Sequence, residues 1–317
     1  MTPTVTVVVP TRNRSARLAA AVASIEKQTF DDIEIVVVDD GSEDDTPDVL
    51  EKIAAADARV RVIRLATPAG APVARNRGLE EGRGKFVAFL DDDDRWLPTK
   101  LERQVAHLRS HPDTVLVGCH HRIVTDGGGP GLDFRGPTDF APEDLLWSNL
   151  LGTLSNAVVA PDRMDQLVRF DPAFPAYQDW DFYLECNRLG PVAIVPEVLC
   201  EYVVHDEPDR LTNQLPKRLA GHELLLRRHG AAMSASCLAY HRARMRVLAA
   251  TSRGAKIRLA PALLRDTPLV AIRALLTESV NGRIGRLRGD PARPMRHLQR
   301  LAASTRRGSH AASRRQR

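Results

Sequence analysis

Four consecutive aspartates, Asp91 to Asp94, follow directly on the apolar run FVAFL at 86–90. Adjacent acids repel, and ionising them together is costly without a cation or open solvent. A hard divalent cation relieves that cost, because Mg²⁺ or Mn²⁺ takes oxygen ligands and commonly bridges one or two carboxylates to substrate phosphates. Asp91 and Asp93 are two apart, so a continuing strand would put both on one side. Asp94 has a second reading, as the cap of a helix beginning near Trp96 and Pro98. Three further polar groups end or follow apolar runs: Pro10-Thr11-Arg12-Asn13, Asp39-Asp40-Gly41-Ser42 and Arg75-Asn76. A tight turn would also account for Asp39 to Ser42. Together these groups suit a ligand that combines hydroxyls, phosphates and a divalent cation. Neither GxGxxG nor GxxxxGK[ST] occurs, which argues against a dinucleotide-binding dehydrogenase and a P-loop NTPase.

Such residues need elements to position them. VTVVV at 5–9, IEIVVV at 33–38, VRVIRL at 60–65 and FVAFL at 86–90 read as strands, with helices near 15–28, 45–56 and 72–82. Near-continuous apolar strands alternating with helices predict a parallel, helix-covered sheet, and ligands of such sheets bind at the carboxyl ends of the strands. A helix from Pro98 to about Ser110, strands at 114–124, 156–160 and 192–204, and a helix entered near Asp179 continue the pattern less regularly. Residues 125–142, rich in Gly and Pro, read as a long surface loop. Helical sequence begins near Gln214. The predicted class is therefore α/β, with a C-terminal helical extension.

The composition, 43% hydrophobic and 27% charged over 317 residues, is that of a globular protein. Cys119, Cys186, Cys200 and Cys237 show no paired spacing and read as buried thiols. The net charge of +5 is uneven: residues 253–317 hold sixteen Arg and Lys against three acids, or +13, which leaves −8 for residues 1–252.

PTRNR at 10–14, VVVDDGSEDDT at 36–46, ARNRG at 74–78 and FLDDDDRWLP at 89–98 stand in the order found in family 2 of the glycosyltransferases, and the chain resembles that family over about residues 4–205. The resemblance implies a GT-A-type nucleotide-binding sheet with flanking helices and inverting transfer from a nucleotide diphosphate sugar to an acceptor hydroxyl. It implies that Asp39 contacts the base or ribose, and that Asp91 and Asp93 are the outer acids of a DxD motif holding Mn²⁺ or Mg²⁺. Pro10, Thr11, Arg12, Asn13, Arg75 and Asp92 join the donor site. Gln178-Asp179-Trp180-Asp181 resembles the family's EDWD element, which makes Asp179 the general base and puts Gln178 where the family has Glu. Asp179 and Asp181 also suit a helix cap. Asp181 and Trp180 are assigned to the acceptor or to orienting that helix, and Trp96 and Trp180 to sugar stacking or to the core. His205 resembles a histidine near the donor diphosphate or metal, a role imidazole supports as ligand or cation. His120 and His121 fall on opposite sides of their strand.

The expected organisation is a catalytic domain over 1–212, with a donor half at 1–98 and an acceptor half at 99–212, a helical extension over 213–288 and a basic tail over 289–317. Expected partners are a UDP- or dTDP-type sugar donor and a saccharide, lipid-linked or small-molecule acceptor, in cell-surface polysaccharide, glycolipid or glycosylated-metabolite synthesis. No signal peptide or spanning run is evident, so a cytoplasmic place is expected, with the basic C-terminus suited to an anionic membrane surface. Nucleic acid is not an expected partner, because no aromatic platform accompanies the charge. A sugar nucleotidyltransferase and a catalytically silent nucleotide-sugar-binding protein are the competing readings.

Overall fold

Every residue of the first β-branched run is buried, which is what a strand covered on both faces requires. In the computed structural model, which describes residues 2–126, 131–205 and 214–250, this run is β1 (Val5–Thr11). With β2 (Ile33–Asp39), β3 (Val60–Arg64) and β4 (Phe86–Phe89) it forms a parallel group in the order β3-β2-β1-β4. Helices α1 (Ser15–Glu26), α2 (Thr46–Ala56) and α3 (Ala71–Glu81) are the crossovers. Side chains of β1 alternate as a strand dictates. Val5, Val7 and Val9 join Leu18 and Ile25 of α1 in one apolar layer, whereas Val8 joins Leu79 of α3 and Phe89 in the other. Gly78 lets α3 approach β1 this closely: a Cβ there would lie 2.3 Å from Val8 Cγ1.

Beyond β4 the sheet becomes mixed. The order continues β8-β6-β9-β5, using β5 (Arg95–Trp96), β6 (Leu116–Thr125), β8 (Val158–Val159) and β9 (Val192–Val204). β8 is antiparallel to β4 and to β6, β9 is parallel to β6, and β5 is antiparallel to β9. Helices α4 (Lys100–Ser110), α5 (Asp144–Trp147) and α6 (Gln178–Leu189) pack around this half.

Two local expectations are corrected. The stretch 125–142 is not loop throughout, since β7 (Leu132–Phe134) pairs antiparallel with β6 through a register from His121–Phe134 to Ile123–Leu132. Asp94 caps no helix, because α4 begins at Lys100 with Thr99 at its N-cap.

The chain divides into two compact units after Leu225. Residues 215–229 form α7 (Leu215–His229), and α8 (Ala235–Ala249) follows with Ser234 capping it through Cys237 N. This agrees with the helical reading from Gln214. The domain limit at 212/213, the stretch 253–288 and the tail 289–317 lie outside the described residues. All four cysteines are free and buried.

Candidate active site

The four aspartates form a turn, not a strand continuation, with Asp94 N donating to Asp91 O at 3.0 Å. Each carboxylate consequently faces different partners. Asp91 Oδ1 accepts from Arg75 Nη2 at 2.7 Å. Asp92 Oδ2 accepts from Thr11 Oγ1 at 2.7 Å, and its Oδ1 lies 3.1 Å from Arg14 Nη1. Asp93 Oδ2 meets the same Arg14 nitrogen at 3.2 Å and His205 Nε2 at 2.9 Å. Asp94 accepts from Ser155 Oγ at 2.6 Å, Thr153 Oγ1 at 3.1 Å and Val203 N at 3.1 Å. It therefore ties the turn to β9, two residues before His205.

Burial raises the acids that face inward. Desolvation lifts Asp92 to about 6 against the pull of Arg14, and lifts Asp94 well above the usual range with help from Asp93 and Asp91. Asp93, more exposed than Asp92, joins buried His205 as a carboxylate–imidazole pair. Asp93 and His205 thus meet, while the third predicted metal ligand, Asp91, is turned to Arg75 in this conformation. Two carboxylates and an imidazole are donor types that suit Mn²⁺, with Mg²⁺ served by the oxygens alone, but in this conformation the three are not gathered into one ligand set.

The ends of β1 and β2 lie side by side, with Thr11 opposite Asp39 in register. Asp39 is fully buried. Its Oδ1 accepts from Ser42 N at 2.9 Å, while its Oδ2 accepts no hydrogen bond and has Arg64 Nε at 3.4 Å. A buried carboxylate oxygen left open at a strand end is a ready acceptor for a ligand hydroxyl or ring N–H. Asp40 acts differently, accepting from Ala69 N at 2.7 Å and Gly70 N at 2.9 Å to shape the entry to α3. Asn13 is left-handed, with φ 52°, and binds the β2 loop through Ser42 Oγ and Glu43 N. Arg12 is exposed and lines a cavity of about 480 Å³ with Asn13, Arg14, Arg17 and Asp44. Pro10 sits within β1, in register with Val38.

Arg75 connects the turn to the second half of the site. Besides Asp91 it donates from Nη1 to Gln178 Oε1 at 2.9 Å, at the first residue of α6. Gln178, where the family has Glu, thus keeps a bond to the guanidinium, and its amide donates to Phe174 O. Burial opposes the charge on Arg75, but Asp91 outweighs it and the pKa rises. Asp179, next along α6, is pushed up to about 6 by desolvation, against the N–H of Trp180 and the charge of Arg75. Asn149 Nδ2 donates to Asp179 Oδ2 at 2.8 Å. The residue before the helix, Tyr177, is held at φ 63°. Such backbone strain in a non-glycine residue concentrates at functional sites.

Several expected residues take structural parts. Asp179 and Asp181 do not cap α6, whose N-cap is Tyr177. Asp181 and Trp180 are buried, at 0% and 1% exposure, and Trp180 Nε1 donates to Leu145 O. Both are packed inside and present no surface for acceptor stacking. Trp96 is also core, with Nε1 on Ser155 O and Lys100 Nζ 4.0 Å above its ring. His120 and His121 separate as alternation predicts, to Gly136 O and to Asn156. Arg14, Thr153, Ser155 and Asn149 escaped sequence reasoning. Arg14 had a signal as the last residue of PTRNR. The other three lie in an aperiodic stretch whose only cue is its polar residues.

A mixed α/β sheet thus carries acids at its strand ends and is faced by a helix whose second residue is half-buried Asp179. Residues 6–154 match the model of Glycosyl transferase family 2. A Bacillus subtilis (strain 168) protein provisionally named teichuronic acid biosynthesis glycosyltransferase TuaG is 32% identical over 201 residues, 63% of this chain and 79% of the relative. The chain belongs to glycosyl transferase family 2. Among solved structures, S. aureus TarS 1-349 in complex with UDP-GlcNAc matches at TM-score 0.60 and 17% identity, over 96% of this chain and 92% of that one. The mannosyltransferase PcManGT from Pyrobaculum calidifontis, in complex with GDP-Man and Mn²⁺, matches at TM-score 0.54 and 19% identity, over 96% and 81%.

Proposed function

We propose that the chain transfers a sugar, with inversion, from a UDP- or dTDP-type donor to a saccharide or lipid-linked acceptor hydroxyl, and that a divalent cation assists. The observation that carries this reading is the bonded chain Asp91–Arg75–Gln178, which joins the acidic turn to the residue beside half-buried Asp179. Asp91, Asp93 and His205 would hold Mn²⁺ or Mg²⁺. The cation would supply Lewis-acid stabilisation of charge developing on the leaving diphosphate. Asp39 accepts from the base or ribose through its open Oδ2, and Thr11 and Arg14 hold Asp92 at the rim of the donor site. Asp179 takes the proton of the acceptor hydroxyl as its oxygen bonds to the anomeric carbon and the bond to the phosphate oxygen breaks. An in-line attack opposite the leaving group inverts that carbon, the demand inverting glycosidases meet with a second carboxylate.

The TuaG relative and the sugar-nucleotide complexes of the fold neighbours support this substrate class. They favour transfer over the nucleotidyltransferase reading, which also lacks its Gly-rich N-terminal loop here. The test is a thermal-shift screen of nucleoside diphosphates and their sugars with and without Mn²⁺, because a ligand that binds only the native state raises Tm. A UDP-sugar shift that grows with Mn²⁺ is expected, followed by turnover to a product of inverted anomeric configuration by ¹H NMR. No shift with any nucleotide sugar, or a retained anomer, would sink the proposal.

A further inference from the structure

The loop between α5 and β8 has no role in the reading above, yet its Asn149 is the side chain that holds the proposed base. An amide offers two N–H donors and a carbonyl oxygen with two lone pairs, and Asn149 uses all of them. Its Oδ1 accepts from Leu151 N at 3.2 Å and Gly152 N at 2.9 Å. Its Nδ2 donates to Gly152 O and to Asp179 Oδ2, both at 2.8 Å. The orientation of the amide is set by this network, since a flipped group would face two backbone N–H donors with its own NH₂.

The loop that fixes Asn149 is itself fixed. Gly152 is left-handed at φ 77°, and a Cβ there would lie 2.7 Å from His121 Cε1. His121 stacks on Phe134 with centroids 4.7 Å apart and meets Asn156 Nδ2 at 3.0 Å. Asn156 in turn donates to Leu151 O at 2.6 Å. From the other side, Tyr183 of α6 donates to Thr153 O at 3.0 Å. Loop and helix are therefore one laced unit, with Asn149 aimed from the first into the opening of the second.

We propose that Asn149 is a positioning residue: it clamps one oxygen of Asp179 and leaves the other directed to the acceptor hydroxyl. This rests on Asp179 being the base. A donor on the carboxylate also favours its charged form, opposing the burial that raises Asp179. The other groups that act on Asp179 are the Arg75 guanidinium from α3, the Asp91 carboxylate from the turn after β4 and the Tyr183 phenol on its own helix.

Asn149→Ser separates the clamp from the loop, because a serine hydroxyl still accepts from the 151 and 152 N–H groups but cannot reach Asp179. The substrate-independent readout is the Asp179 ¹³Cγ resonance in selectively labelled protein, identified by its loss in Asp179→Asn and titrated from pH 4 to 8. In Asn149→Ser its midpoint is expected to rise by about one unit. Alongside, UDP-sugar turnover should fall roughly ten- to a hundred-fold in kcat with donor KM little changed, as misplacement of a reacting group does. Asn149→Asp, which sets a like charge beside Asp179, should raise the midpoint further. A midpoint that moves in neither variant overturns the clamp. Turnover that survives in Asp179→Asn overturns the base reading instead, so the two failures are distinguishable.

Discussion

Four neighbouring acids of one residue type end up with four different surroundings, and their chemistry divides accordingly. Asp94 is a structural hub, Asp92 is locked between Thr11 and Arg14, Asp91 answers Arg75, and Asp93 pairs with His205. Asp93→Asn should therefore weaken cation binding more than any structural property. Expected is loss of most of the Mn²⁺-dependent part of the UDP-sugar Tm shift, over and above any change in the metal-free Tm from losing the Arg14 and His205 contacts. Chelation with EDTA should abolish turnover in the wild type and Mn²⁺ or Mg²⁺ should restore it. The pH dependence follows from Asp179. Desolvation raises its pKa to about 6, and a general base must be ionised, so activity is lost as pH falls through about 6 and regained above it. A kcat/KM profile with an acid limb near 4 would mean that some other group limits.

At the scale of elements, what was legible in the sequence is what local pattern controls. β1, β2 and β4 were readable because each is β-branched or aromatic and bounded by turn residues, and their polar successors fell at the strand ends as open α/β sheets demand. A helix start near Asp179 was also legible, and the helix begins one residue earlier, at Gln178. The acidic turn was not: strand alternation predicted Asp91 and Asp93 on one side, but the chain turns after Leu90, since the tertiary partners Thr11, Arg14, Arg75 and Ser155 hold each acid separately. β7 was hidden in a Gly- and Pro-rich stretch because its pairing to β6 is nonlocal. Asn149 had no periodic signal at all. The close contact of α3 and β1 gives a stability test at this scale. Gly78→Ala places a methyl 2.3 Å from Val8 Cγ1, and overpacking of this kind costs about 1–3 kcal/mol. A fall in Tm of several degrees is expected by differential scanning calorimetry, whereas Gly70→Ala, whose Cβ would meet only Pro72 Cδ at 3.8 Å, is strained through its φ of 93° alone.

Over the whole molecule the charge is divided: −8 over residues 1–252 and +13 over residues 253–317. Among the described residues no helix is long and apolar enough to cross a membrane. A basic C-terminal stretch after an acidic region has the charge to meet an anionic lipid surface. Removing residues 253–317 should abolish sedimentation with vesicles containing anionic lipid while leaving neutral-vesicle behaviour unchanged; equal sedimentation of both forms would remove the membrane role.

In the proposed reaction, donor binding and proton removal reside in separate halves, at the acidic turn and at Asp179. One paired measurement on Asp179→Asn tests it most directly: the Tm shift produced by UDP-sugar with Mn²⁺, and kcat at saturating donor. Expected is a wild-type Tm shift with kcat reduced by about 10²–10⁴. A variant that turns over at the wild-type rate would contradict it.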